Sequence, residues 1–440
     1  MKKTVSRILL LAASVLLIAG CMSDDRRMSL LKVYNWGDYI DEEIIPEFEQ
    51  WYEEQTGEPV KIIYQTFDIN ETMLSKIEKG KEDFDVVCPS DYIIERMLRS
   101  DLLLPLDFDF GQTPNYIDQY IAPYIKDRFN YIEGSGKNAN DYSVGYMWGT
   151  TGILYNTKYV DAEDAKTWDI IRNPKYSGKI FIKDASRDVY GPVSIYLNRE
   201  RLAAGEVTLD EMMWDSSDET IAAVEAYMAQ VKPLIAGWEA DFGKEQMTQE
   251  HGWLNFTWSG DAVWAIEEGR DVGVELKYEV PQEGSNVWFD GWVIPKYAKN
   301  VKAASYFINF LCRPDIAIRN MDVIGYVSAV ASPEVFEQMQ DKEFGEPVDV
   351  RYFFGDMVAG ADSAFMNPAQ YPDASVIDRC VMMHDWGDET PKLTAMWSRV
   401  KGSNANVLTI VVIAVVIAAL LGFGIGQKYF SKSRRRPHRR

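Results

Sequence analysis

From Leu31 onward the apolar residues fall into two alternating kinds of stretch. Short runs rich in Val, Ile and aromatics predict strands over 31–36, 60–66 and 84–88. Longer segments with apolar positions three and four residues apart predict helices over 42–55, 70–79 and 91–99. Strands recurring with helices between them imply βαβ units and a mostly parallel sheet, hence an α/β fold class. The glycine-punctuated extended run 141–156 reads as a crossing from one lobe to another, with Gly149 and Gly152 allowing it to bend. Beyond it lie strands over 179–183, 253–260 and 288–295 and helices over 217–231 and 301–311. The last helix is broken at Arg313-Pro314-Asp315, residues 330–376 read as irregular, and 385–401 regains helical character.

The two ends follow a different pattern. Lys2, Lys3 and Arg7 precede the apolar run 8–20, a stretch short for a membrane span, as in an export signal. Leu17-Ile18-Ala19-Gly20-Cys21 resembles the lipobox of bacterial lipoproteins, which implies acylation of Cys21; an uncleaved anchor is the other reading. Residues 407–426 form a chargeless run of 20 residues. At about 1.5 Å per residue such a helix crosses a hydrocarbon core of about 30 Å. The basic tail 427–440 is then cytoplasmic by the positive-inside rule, which leaves 22–406 outside the cytoplasmic membrane. The linker 402–406 reaches about 18 Å at most, so the exported part sits close to the bilayer.

Charge sharpens this division. The net charge is -21, yet both ends are purely basic. Removing their ten bases from the 46 Lys and Arg leaves 36 against 67 acids, or minus 31 for the middle. Such a surface repels nucleic acid and attracts small cations. Cys88, Cys312 and Cys380 are an odd set at unrelated spacings, not a disulfide framework. With only His251, His384 and His438, neither a histidine-rich metal site nor Ser-His or Cys-His catalysis is supplied, and no phosphate loop occurs. We therefore expect no cofactor, no metal and no enzyme.

Within this acidic middle, Asn286-Val287-Trp288-Phe289-Asp290-Gly291-Trp292 puts a carboxylate between two indoles. The acid offers charge-assisted hydrogen bonds and the rings offer cation-π attraction, a combination suited to an organic cation. A buried strand with one turn-facing Asp is the alternative. In parallel sheets ligands bind beyond the carboxyl ends of the strands. Trp36-Gly37-Asp38-Tyr39, Pro89-Ser90-Asp91-Tyr92, the cluster from Asp184 to Asp188 and Trp258 all fall at such ends. Helix capping by Asp38, Ser90, Asp91 or Asp188, or an ion pair of Arg187, is the structural alternative for these residues.

These residues in this order resemble the spermidine/putrescine-binding proteins of bacterial ABC importers. The resemblance covers 31–401 and rests on Tyr34-Asn35-Trp36, Asn70-Glu71-Thr72-Met73, Phe84-Asp85-Val86-Val87, Pro89-Ser90, Trp258-Ser259-Gly260, Trp288-Phe289-Asp290, the run from Ile308 to Pro314, Ile324-Gly325-Tyr326 and Tyr371-Pro372-Asp373-Ala374. It implies a two-lobed, type II-like periplasmic-binding-protein fold with a hinge and an interlobe cleft. One lobe would hold 31–148 and 291–328, the other 149–290 and 329–401. Carried over position by position, Trp36, Tyr39, Tyr92, Trp258, Trp288 and Tyr326 would be aromatic walls, Asp38, Asp188 and Asp290 would face ammonium groups, and Ser90 would add a polar contact. Trp292 falls on the following strand.

Three positions depart from the family pattern. Ala185 stands where a second acid can occur, Met383 where an amide can, and Gly37 where a hydroxyl can. The resemblance implies capture of spermidine or putrescine and delivery to an ABC permease and its ATPase. Attachment would run through the Cys21 lipid and the 407–426 helix, which is not a usual family feature. A membrane-tethered polyamine sensor working through a separate partner is the alternative. An extracytoplasmic enzyme using paired carboxylates is a third class, lacking a nucleophile-base pair.

Overall fold

The computed structural model describes residues 27–402. The expected signal 1–21 with Cys21, the linker beyond Gly402, the membrane helix 407–426 and the tail 427–440 lie outside the described residues. Among the described residues no helix is long and apolar enough to cross a membrane.

The expected alternation is present. Strand β1 (Leu30–Trp36) leads to helix α1 (Ile44–Thr56), β2 (Lys61–Phe67), α2 (Asn70–Glu78), the short β3 (Val86–Val87) and α3 (Asp91–Arg99). Helix α1 buries Ile44, Phe48 and Tyr52 at four-residue spacing and stops where Gly57 turns left-handed at φ 71°. The crossing strand β4 (Ser143–Asn156) is buried along its whole length. Then come β5 (Ile180–Lys183), α4 (Ser186–Leu197), α5 (Asp218–Val231), β6 (Ile235–Glu239), β7 (Leu254–Trp258) and α6 (Ser259–Val272). The return strand β8 (Ser285–Pro295) is followed by α7 (Val301–Leu311), α8 (Pro314–Ile324) and, near the end, α9 (Thr390–Lys401).

Three helices begin where the sequence reading places no helix of its own. Pro314 does end α7, yet it occupies the first turn of α8, where its missing N–H costs no hydrogen bond. Ser259-Gly260-Asp261 opens α6 and Ser186-Arg187-Asp188 opens α4. Small and acidic residues suit a helix start as well as a turn, so composition does not separate the two.

The main path of the sheet runs β2-β1-β3-β8-β4-β7-β5-β6. Strands β2, β1 and β3 are parallel to one another, as are β7, β5 and β6. The antiparallel pair β8 and β4 joins the two triplets. The first half of β4 pairs with β8 and its second half with β7. Among the described residues two large hydrophobic cores result, beside a small third one around Leu154, Met247 and Ile266. One gathers side chains from 31–148 and 287–383, with Ile195, Met212 and Met213; the other gathers side chains from 153–256 and 386–400.

The crossing glycines serve packing more than bending. Neither has a positive φ. A Cβ on Gly149 would lie 2.7 Å from the Trp288 ring, and one on Gly152 would lie 2.6 Å from the Tyr278 ring. Only a bare backbone lets these rings approach so closely.

Candidate functional site

The parallel strands run toward a common cavity of about 300 Å³, and each ends at it. Trp36 closes β1, Phe67 closes β2, Lys183 closes β5, Glu239 closes β6 and Trp258 closes β7, while Ser90 follows β3. The crossing strand β8 adds Trp288 and Asp290 from the side, and Tyr326 follows Gly325, the left-handed residue that ends α8. Trp36, Asp38, Tyr39, Ser90, Tyr92, Asp188, Trp258, Trp288, Asp290 and Tyr326, singled out from the sequence, all line this one cavity. So do Gly37, Ala185 and Met383, the three departures from the family pattern. Trp292 does not: it is 1% exposed and packs on Tyr146 and Phe307 in the core.

Asp290 owes its position to a change of register. The pairing of β8 with β4 shifts between Phe289 and Gly291, and Asp290 itself bridges to Ser90 beyond β3. A bulge of this kind re-aims one side chain without ending the strand. The Tyr39 hydroxyl donates to Asp290 Oδ2 at 2.7 Å. Its other oxygen, Oδ1, is buried without a hydrogen-bond partner, and the Nε1 atoms of Trp36 and Trp288 are in the same condition. Burial pushes the Asp290 carboxyl up to about 7; the neighbouring Ser90 hydroxyl and the Tyr39 hydrogen bond act against the rise and the charge of Asp188 adds to it.

Across the cleft, Asp188 lies in the first turn of α4. The helix N-terminus favours its negative charge. It does not cap the helix by side chain; instead its Oδ1 accepts from Trp258 Nε1 at 2.9 Å and from Asn286 Nδ2 at 3.4 Å. Burial raises this carboxyl to about 6 against those donors. Arg187 makes no ion pair with it: the guanidinium donates to the His384 carbonyl and stacks over Trp386 at 4.5 Å and Tyr92 at 5.5 Å.

The rings form a continuous wall. Tyr326 meets Tyr39 at 5.2 Å and Trp288 at 5.4 Å, edge to face. The seat of Tyr326 depends on Gly260, whose added Cβ would collide with that ring. Asp38 stands exposed at the rim in a left-handed conformation, φ 49°. Asn70 ties the wall together, donating to the Ser90 hydroxyl at 3.0 Å and the Tyr92 hydroxyl at 3.2 Å.

Sequence reasoning passed over Lys183, Glu239 and Asp261. The Lys183 ammonium, fully buried, lies 2.5 Å from Asp261 Oδ2 and 3.1 Å from Glu239 Oε1. The spacing of Trp258 and Asp261 across a helix start carries a trace of the acid-aromatic pairing, but nothing in a strand-end lysine marks it as buried. Nine carboxylates line the cavity against four basic groups. A box of rings and acids with an open carboxylate oxygen can hold an organic cation. No cluster of possible metal ligands occurs among the described residues.

Comparison with known proteins gives the family and the fold. The model of the bacterial extracellular solute-binding protein family matches residues 47–343. The spermidine/putrescine-binding periplasmic protein of Escherichia coli is 27% identical over 350 residues, 76% of this chain and 88% of that protein. The putrescine-binding periplasmic protein of the same organism is 28% identical over 337 residues, covering 73% and 84%. Among solved structures, the spermidine/putrescine ABC transporter substrate-binding protein of Streptococcus pneumoniae superposes with a TM-score of 0.60 at 29% identity, over 85% of this chain and 98% of that one.

Proposed function

We propose that this chain, which belongs to the bacterial extracellular solute-binding protein family, captures a polyamine, spermidine or putrescine, in its cleft and delivers it to the permease of an ABC importer. The observation that carries the reading is the unpartnered, buried Oδ1 of Asp290 inside a box of Trp36, Tyr39, Trp288 and Tyr326. A polyamine is a flexible apolar chain carrying ammonium groups, so binding must offset both desolvation and lost rotamers. Charge-assisted hydrogen bonds contribute about 1.5–3 kcal/mol each and cation-π contacts about 0.5–2. Asp290, Asp188 and Asp38 with several rings suffice for the roughly 8 kcal/mol of micromolar binding. No catalytic role is assigned to them.

Closure follows from the same charges. Burial in the cleft makes ionised Asp290 and Asp188 unfavourable. An ammonium between the walls reverses that penalty, so the ligand itself stabilises the closed form that a permease would recognise. The moving bodies of this reading are 31–148 with 291–328, and 149–290. Residues 329–383 share the first core and 386–400 the second, so the proposal divides 329–401 between the lobes. Anchoring through Cys21 and 407–426 belongs to the same proposal and is supported by the sequence patterns there.

Calorimetry with putrescine, spermidine, spermine, an amino acid and a sugar tests the function. Micromolar or tighter binding is expected for at least one polyamine and none for the other two. Binding of the amino acid or sugar in place of every polyamine would overturn it.

A further inference from the structure

Lys183 ends β5 with its side chain wholly excluded from solvent, on the wall of the same cavity. Its ammonium contacts Asp261 at 2.5 Å and Glu239 at 3.1 Å, donates to the Ala240 carbonyl, and lies 4.3 Å from the centroid of the Trp258 ring. The second oxygen of Asp261 accepts from the Tyr326 hydroxyl at 3.0 Å. Lys244 approaches Asp261 only to 3.9 Å and remains partly exposed. One ammonium is thus held by two carboxylates, one of them bonded to a tyrosine, and an indole face. Those are the partner types that Asp290 with Trp288 and Tyr39 offers to a cation elsewhere in the cavity. Trp258, which faces the ammonium, and Tyr326, which holds Asp261, belong to the ligand-facing wall itself.

A buried lysine is retained only where acids offset its desolvation, and here the acids lie on the ligand cavity. Whatever ammonium reached Asp261 from the solvent side would meet Lys183 already seated there and be repelled by like charge. Resting on the polyamine reading above, we propose that Lys183 is a specificity-determining residue whose ammonium occupies, from the protein's own side, a subsite that a third ligand ammonium would otherwise fill. The cleft then takes a diamine ahead of a triamine. Removal of the lysine side chain would leave Asp261, Glu239 and the Trp258 face open to the additional ammonium of a longer ligand.

The test is calorimetry of putrescine and spermidine on the purified full chain, the Lys183→Met variant and the Lys183→Met/Glu239→Gln double variant. The double variant leaves one acid to receive the ammonium and spares the fold a second unpaired buried charge. The wild type should bind putrescine at least tenfold more tightly than spermidine. In either folded variant the spermidine-to-putrescine affinity ratio should rise at least tenfold. A wild type that prefers spermidine overturns the inference whether or not the variants fold, and so does an unchanged ratio in a folded variant. Both of those results leave the polyamine reading standing, whereas absence of binding to any polyamine removes the two together.

Discussion

On the wall built by β1, β3 and β8, Asp290 keeps one carboxylate oxygen without a partner, while across the cleft Asp188 and Asp261 are already engaged. Asp188 accepts from Trp258 and Asn286, and Asp261 is held by Lys183 and Tyr326. Both walls arise from strand ends of one sheet, so the difference lies in what surrounds each charge. Around Asp290 the structure supplies rings and hydroxyls. Around Asp261 it supplies a cation of its own. Asp290 therefore presents the open demand for a cation on its wall, and its carboxyl is raised to about 7 against about 6 for Asp188.

The strongest way to break this contrast is to remove the open charge. Asp290→Asn should weaken polyamine binding by ten- to hundredfold, since one charge-assisted hydrogen bond is worth about 1.5–3 kcal/mol. Asp315→Asn, at an exposed acid paired with Arg313, should leave the affinity unchanged. Equal affinity of both variants and the wild type in calorimetry would remove Asp290 from the site. Asp188→Asn should cost less, about three- to tenfold, because two donors already satisfy one of its oxygens. A larger loss at Asp188 than at Asp290 would invert the comparison.

Acidity gives a graded version of the same test. An acid with a folded-state pKa above its ordinary value binds its proton more tightly in the closed cleft than in water. The closed empty form therefore loses stability as pH rises through about 7, where Asp290 ionises. A cation needs the ionised form and expels the proton, so affinity should rise with pH and fall by about tenfold from pH 8 to pH 6. Most of that change should come from Asp290 and the remainder, near pH 6, from Asp188. Calorimetry in buffers of different ionisation enthalpy should detect proton release near pH 7; binding heats independent of buffer would contradict the assignment.

Much of this site was legible because its chemistry sits at strand ends. Trp36, Ser90 and Trp258 stand at or just past such ends, and the Trp288 and Asp290 pair announces itself by being odd for a core strand. The alternation of strand and helix was equally open to reading over 30–99. What escaped had no local signature. Lys183 looks like any lysine leaving a strand, and its burial depends on Glu239 and Asp261, 56 and 78 positions away. Gly149 invites a reading of flexibility, but the reason for it is the Trp288 ring brought against it from β8. Helices α4, α6 and α8 open on residues that suit turns as well. The side chains of 330–376 find their place only through the first core, where Phe353 stacks on Trp148 at 5.5 Å.

The smallest expected effect separates the two walls most cleanly, because it alters a donor and leaves both acids in place. Tyr39→Phe keeps the ring against Tyr146 and Tyr326 but deletes the hydroxyl that donates to Asp290 at 2.7 Å. That hydrogen bond favours the ionised acid, so its loss raises the Asp290 carboxyl further above about 7. At pH 7.5 a larger share of the empty protein is then protonated and affinity falls by about two- to fivefold. At pH 9, where the acid is ionised in both proteins, most of that gap should close. Asn286→Ala removes a donor from Asp188, which starts from about 6 and keeps Trp258 as a donor. It therefore stays largely ionised at pH 7.5, and the loss there should be smaller than for Tyr39→Phe. Affinities measured at both pH values decide the matter: a gap for Tyr39→Phe that persists undiminished at pH 9 would mean that Tyr39 acts through packing instead of through the charge of Asp290.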